Sequence, residues 1–184
     1  ELNSGQVLTG LVSNPLRSSG AAFAHMAGVT GTGSTIAVSD GEYIPGYAEF
    51  AGSNVLVVNN WEGLNPSADD SGGHGTIVSA VALGDSADFI GTAPDARLVF
   101  GSYETDQKLA DLGNTALSLG AVAWNNSWGY PTLFLDQTGF DIAFNQSSSS
   151  QAYLTALDNF AASGVVVFAV SNDNTLQHST LMDG

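Results

Sequence analysis

Cysteine is absent from the 184 residues. A disulfide framework and a thiolate metal site are therefore excluded, while oxidising and reducing compartments both remain compatible. Cationic residues are nearly as scarce. Lys and Arg number 3 against 18 Asp and Glu, a formal net charge of -15. The acidic count is ordinary, so the imbalance comes from missing bases. Phosphate backbones and anionic lipid surfaces would repel such a chain, which sets nucleic acid aside as a partner. No apolar run approaches the ~18 residues of a membrane span. The opening Glu1-Leu2-Asn3-Ser4-Gly5 lacks the basic and long apolar parts of a signal peptide, so a processed N-terminus is expected.

What is present is the material of a core. Hydrophobic residues make up 43% and charged ones 11%, which argues against disorder. The length suits one domain, and no repeat or boundary divides residues 1–184. Short apolar runs at 34–38, 54–58, 97–100, 121–125 and 165–170 read as strands. Helical spacing is expected over 18–27, with Ser18 or Ser19 as cap, over 76–83, 106–119 and 151–162. In the second of these, Ile77, Val81 and Gly84 share one face with Val78 and Ala82 beside it, and this is the face expected to be buried. Residues 146–150 read as a loop. Strands alternating with helices predict an α/β fold, a three-layer, doubly wound parallel sheet.

The glycines of Gly28-Val29-Thr30-Gly31-Thr32-Gly33 precede a strand, whereas a dinucleotide loop follows one. They read as a turn into the sheet. Asp40, in Ser39-Asp40-Gly41, ends the first strand. Asn125 to Gly129 ends the fourth, and Asn172 follows the fifth. His74 opens a helix after Gly72-Gly73, where the helix dipole favours the neutral, proton-accepting imidazole. In a parallel sheet the carboxyl ends of the strands share one edge, so Asp40, His74 and Asn172 are expected to converge there. An aspartate that orients a neutral histidine is the base half of a nucleophilic triad, and an amide side chain can donate to a developing oxyanion. A metal site built from His74 with Asp69, Asp70 or His178 lacks recognisable ligand spacing, so none is assigned.

Five segments, in order, resemble the subtilisin-like serine proteases. Thr35-Ile36-Ala37-Val38-Ser39-Asp40 is similar to the segment of the catalytic aspartate, and His74-Gly75-Thr76 to that of the catalytic histidine. Gly91-Thr92-Ala93-Pro94-Asp95-Ala96 resembles the turn after that helix. Asn125-Asn126-Ser127-Trp128-Gly129 resembles the strand that pairs with extended substrate, and Val165 to Asn172 the strand delivering the oxyanion-hole asparagine. The double asparagine and the Val-Val-Val-Phe-Ala run are most similar to the bacterial autotransporter branch. Gly41 and Glu42 after Asp40, and Ile77 where a second histidine is usual, depart from the family pattern.

The resemblance implies a serine endopeptidase with Asp40 and His74 as catalytic residues and Asn172 as oxyanion donor. Ser127, Trp128 and Gly129 would bind a protein or peptide substrate. The family's Gly-Thr-Ser nucleophile motif does not occur in the chain. The reactive serine is therefore expected beyond residue 184, in the remaining C-terminal part of a peptidase domain of which this is an incomplete portion. No cofactor is required, structural calcium is frequent in the family, and a secreted or cell-surface bacterial location is implied. The alternative is a non-catalytic peptide-binding or interaction module that kept the fold and lost the nucleophile.

Overall fold

The computed structural model describes residues 15–50, 54–62, 73–86, 89–128 and 148–169. Five parallel strands form one sheet: β1 (Thr35–Asp40), β2 (Asn54–Val57), β3 (Arg97–Ser102), β4 (Ala121–Asn126) and β5 (Val165–Phe168), in the order β2-β3-β1-β4-β5. The helices are α1 (Pro15–Ser18), α2 (Ala21–Met26), α3 (His74–Leu83), α4 (Asp106–Ser118) and α5 (Ser148–Ala161). This is the expected α/β arrangement with a parallel sheet.

Alternation along the strands divides the core in two. Ala37, Val99 and Trp124 face α4 and α5, where they meet Leu109, Leu112, Ala116, Tyr153 and Phe160. Val38, Leu98 and Phe100 face α3 and pack with Ala80, Leu83 and Tyr43. The chain leaves β1 towards β2 and β3 on one side and later builds β4 and β5 on the other. The direction of winding thus reverses between β1 and β4, and in open α/β sheets the crevice at that reversal, outside the carboxyl ends, is where ligands bind. The ends of β1 and β4 carry Asp40 and Asn126.

The turn before β1 is the predicted one. Gly28, Gly31 and Gly33 all take positive φ, and a Cβ on Gly31 would lie 2.8 Å from that of Ala93. Three local expectations are corrected. The helix expected over 18–27 is two short helices broken at Gly20, whose φ of 80° is left-handed; Gly20 holds the N-cap position of α2, and the Ser19 hydroxyl accepts the Ala21 N–H at 3.4 Å. Ser148, Ser149 and Ser150, expected in a loop, form the first turn of α5, where the Ser150 hydroxyl donates to Asp106 Oδ2 and ties that turn to the start of α4. The third correction concerns α3. Its buried residues are Gly75, Thr76, Ser79, Ala80 and Leu83, while Ile77 and Val81 are 62% and 38% exposed. Small side chains let this helix lie close on the sheet, and Ile77 and Val81 turn outward.

Candidate active site

Each residue of His74-Gly75-Thr76 makes a separate connection to the end of β1 or the loop after it. His74 opens α3, and its Nδ1 lies 2.8 Å from Asp40 Oδ1. A carboxylate only accepts, so the bonded Nδ1 carries the proton and Nε2 is the nitrogen left for proton transfer. Gly75 rests on the Glu42 backbone and the Asp40 Cβ, and a Cβ there would meet the Glu42 carbonyl oxygen at 2.3 Å. Thr76, itself buried, accepts the Ile44 N–H on its hydroxyl at 2.9 Å.

The pair is asymmetric in its surroundings. The Asp40 side chain is 2% exposed and that of His74 is 62% exposed. Asp40 Oδ1 also accepts the Gly41 N–H at 2.7 Å, and its buried Oδ2 accepts no hydrogen bond among the described residues. A buried carboxylate fixing an accessible imidazole is the arrangement that orients a general base and stabilises its protonated form. Among the described residues no group of three His, Asp or Glu could hold a metal ion.

The expected site residues divide by location. Asp40 and His74 are together. Ser127 and Trp128 stand at the end of β4, next to β1, with the Ser127 hydroxyl accepting from Asn125 Nδ2 at 2.8 Å. Gly129 and Asn172 lie outside the described residues, as do Asp69, Asp70 and His178.

Sequence reasoning missed an aromatic cluster at the same edge. Tyr103, the residue after β3, stacks on Trp128 with centroids 5.4 Å apart, and Trp61 meets it edge-on at 5.5 Å. The Tyr103 N–H donates to the Asp40 carbonyl at 3.0 Å. Burial raises the Tyr103 phenol above its ordinary pKa, and the negative charges of Asp40 and Glu42 add to the rise. The signal was available, since Tyr103 also follows the carboxyl end of an apolar strand. Asn59 and Asn60 knit this edge from the loop after β2. Asn59 Oδ1 accepts the Ser102 N–H at 2.8 Å, and Asn60 exchanges hydrogen bonds with the Tyr43 backbone at 2.9 and 2.8 Å.

The profile of the subtilase family matches residues 30–182, most of the chain and every element of this site. The chain belongs to the subtilase family. Solved structures share the fold. A peptide complex of the PatG macrocyclase is 17% identical with a TM-score of 0.59, covering 86% of this chain and 58% of that one. The serine protease MycP1, a component of the type VII (ESX-1) secretion system, is 22% identical with a TM-score of 0.56, covering 88% and 48%. The prenylagaramide maturation protease PagA is 18% identical with a TM-score of 0.52, covering 76% and 46%. This subtilase chain therefore spans roughly half the length of the structures it resembles. No curated protein matches it by sequence. Among the described residues no helix is long and apolar enough to cross a membrane.

Proposed function

We propose that the chain is the aspartate- and histidine-bearing portion of a serine endopeptidase, with the nucleophilic serine supplied by chain beyond residue 184. The observation that carries the reading is the 2.8 Å hydrogen bond from accessible His74 to buried Asp40 at the reversal of the sheet. In the complete protein His74 Nε2 takes the serine proton as the oxygen attacks the peptide carbonyl. It then returns that proton to the departing amine, and water hydrolyses the acyl-enzyme by the same route. Asp40 holds the imidazole in one tautomer throughout. Asn172 would donate to the oxyanion, and Ser127, Trp128 and Gly129 would pair with the extended substrate.

A second feature supports a missing portion. Val165 pairs with Ala123, which pairs with Ile36, so Val165 and Val167 share the sheet face on which α3 packs. They are 61% and 47% exposed, and His74, Ile77 and Val81 form an exposed stripe along α3 at helical spacing. An uncovered apolar face of this kind on a single domain calls for further chain. The remaining part of the peptidase would cover it and bring its serine to the His74 end. A secreted or cell-surface bacterial location, as in the autotransporter branch, is part of this proposal and rests on the family resemblance alone.

A fluorophosphonate probe tests the assignment. The whole peptidase should label stoichiometrically on a serine beyond residue 184, and the 184-residue chain alone should not label. Labelling of the isolated chain would place the nucleophile inside it. A whole protein that binds peptides and never labels would be a non-catalytic module.

A further inference from the structure

We propose that Ser39 is a positioning residue for substrate, holding the peptide-binding edge at Ser127 and Trp128 in place through a buried hydroxyl shared by two tryptophans. The role of that edge rests on the peptidase reading above; the hydrogen-bonded hub is present in the fold whatever the edge binds.

Ser39 is fully buried and precedes Asp40 in β1, so strand alternation sends the two side chains to opposite faces of the sheet. Its Oγ accepts the indole N–H of Trp124 at 3.2 Å and that of Trp128 at 3.1 Å, and it donates to Asn126 Oδ1 at 2.5 Å. A hydroxyl has one proton and two lone pairs, and here all three are engaged. Every partner comes from β4 or the two residues that follow it.

The two tryptophans are held differently. Trp124 is fully buried between Tyr153 and Phe160, and a Cβ on Gly113 would lie 2.6 Å from its ring. It has nowhere to turn. Trp128 lies beyond the last paired residue of β4 and is partly exposed. Its ring is oriented by the Ser39 hydrogen bond and by aromatic contacts with Tyr103, Tyr153 and Phe168. Removing the hydroxyl would leave buried N–H groups unsatisfied, a cost that the partly exposed Trp128 can escape by turning towards water. The loss therefore falls on Trp128 and the edge it anchors. Adjacent residues of β1 thus divide the work: Asp40 sets the imidazole, and Ser39 sets the surface on which a peptide would lie.

Ser39→Ala and Trp128→Phe in the whole peptidase test this, with an extended peptide and p-nitrophenyl acetate, which is too small to span the edge, as substrates. Ser39→Ala should raise KM for the peptide about tenfold while kcat for the ester stays within about twofold of wild type. Trp128→Phe should raise KM for the peptide similarly, and the double variant should add nothing further. In protein labelled with ¹⁵N at the indole nitrogens, Ser39→Ala should abolish exchange protection at Trp128 and preserve it at Trp124. Equal losses on both substrates, or additive losses in the double variant, would overturn the positioning role and leave the peptidase reading intact. A wild-type protein that hydrolyses neither substrate would overturn both. Should Ser39→Ala not fold, indole exchange in the wild-type protein decides: protection at Trp128 is expected from its bond to Ser39, and a freely exchanging Trp128 indole would overturn the positioning role.

Discussion

Gly75 and Glu42 are in direct backbone contact: a Cβ added to Gly75 would stand 2.3 Å from the Glu42 carbonyl oxygen and 3.0 Å from the Asp40 Cβ. The first turn of α3 reaches the end of β1 only because residue 75 has no side chain, and that approach sets the Asp40–His74 distance. Gly75→Ala would force the helix away from a backbone that cannot yield. A destabilisation of about 1–3 kcal/mol is expected, the usual range for overpacking. A drop in the thermal midpoint should accompany weakened Asp40–His74 bonding, read from the Nδ1 proton resonance of His74. An unchanged resonance would show that the contact does not set the pair.

Asp40→Asn preserves shape and removes the carboxylate charge. An amide cannot stabilise the protonated imidazole, and where its nitrogen faces Nδ1 the imidazole presents the wrong nitrogen for proton transfer. In the whole peptidase kcat should fall about 10⁴-fold with KM little changed. Steady-state kinetics on a peptide substrate provide the check, and a fall of less than about tenfold would remove Asp40 from the mechanism.

Gly113→Ala opposes two effects of known size. Alanine in the interior of α4 gains up to about 1 kcal/mol of helix propensity. Its Cβ would meet the Trp124 ring at 2.6 Å and Ala156 Cβ at 3.1 Å, where both neighbours are buried. Overpacking of about 1–3 kcal/mol outweighs the gain. The net result should be a lower urea midpoint with an unchanged slope.

Lys108, one of three basic residues in the chain, donates to Glu104 at 2.5 Å and to the Asn60 carbonyl at 2.8 Å, and lies 3.3 Å from Glu62. Its hydrogen bond holds the Glu104 carboxyl below its ordinary 4.5, and the Glu104 and Glu62 partners hold the ammonium above its ordinary 10.5. A depressed carboxyl contributes stability above pH 4.5 that is lost as pH falls through its lower folded value. A raised ammonium contributes below pH 10.5 and is lost as pH rises through its higher folded value. Lys108→Met should therefore flatten both ends of the stability–pH profile by only about 0.5 kcal/mol, since the pair lies near the surface. Thermal melts across pH and salt would show it, and an effect equal at all pH values would count against the ion pair.

The strands were legible because their runs are short, strongly apolar and bounded by glycine. Leu109, Leu112 and Ala116 are buried as their spacing predicts. The inner face of α3 was not. Hydrophobicity pointed to Ile77 and Val81, but close seating on the sheet selects by size, and Gly75, Ser79 and Ala80 won that place. The start of α5 was hidden for a related reason: three serines look like a loop until Asp106, 44 positions earlier, is brought within reach of Ser150.

The sequence by itself determined the class of fold, the pairing of Asp40 with His74 and the subtilase resemblance, because strand periodicity and glycine-framed motifs are local properties. Tertiary structure alone decided what surrounds them: the burial of Asp40, the Ser39 hydroxyl between Trp124 and Trp128, and Tyr103 stacked at the same edge. The Ser39 contacts join residues 85 and 89 positions apart, and only the order of strands in the sheet, which no local pattern encodes, brings them together.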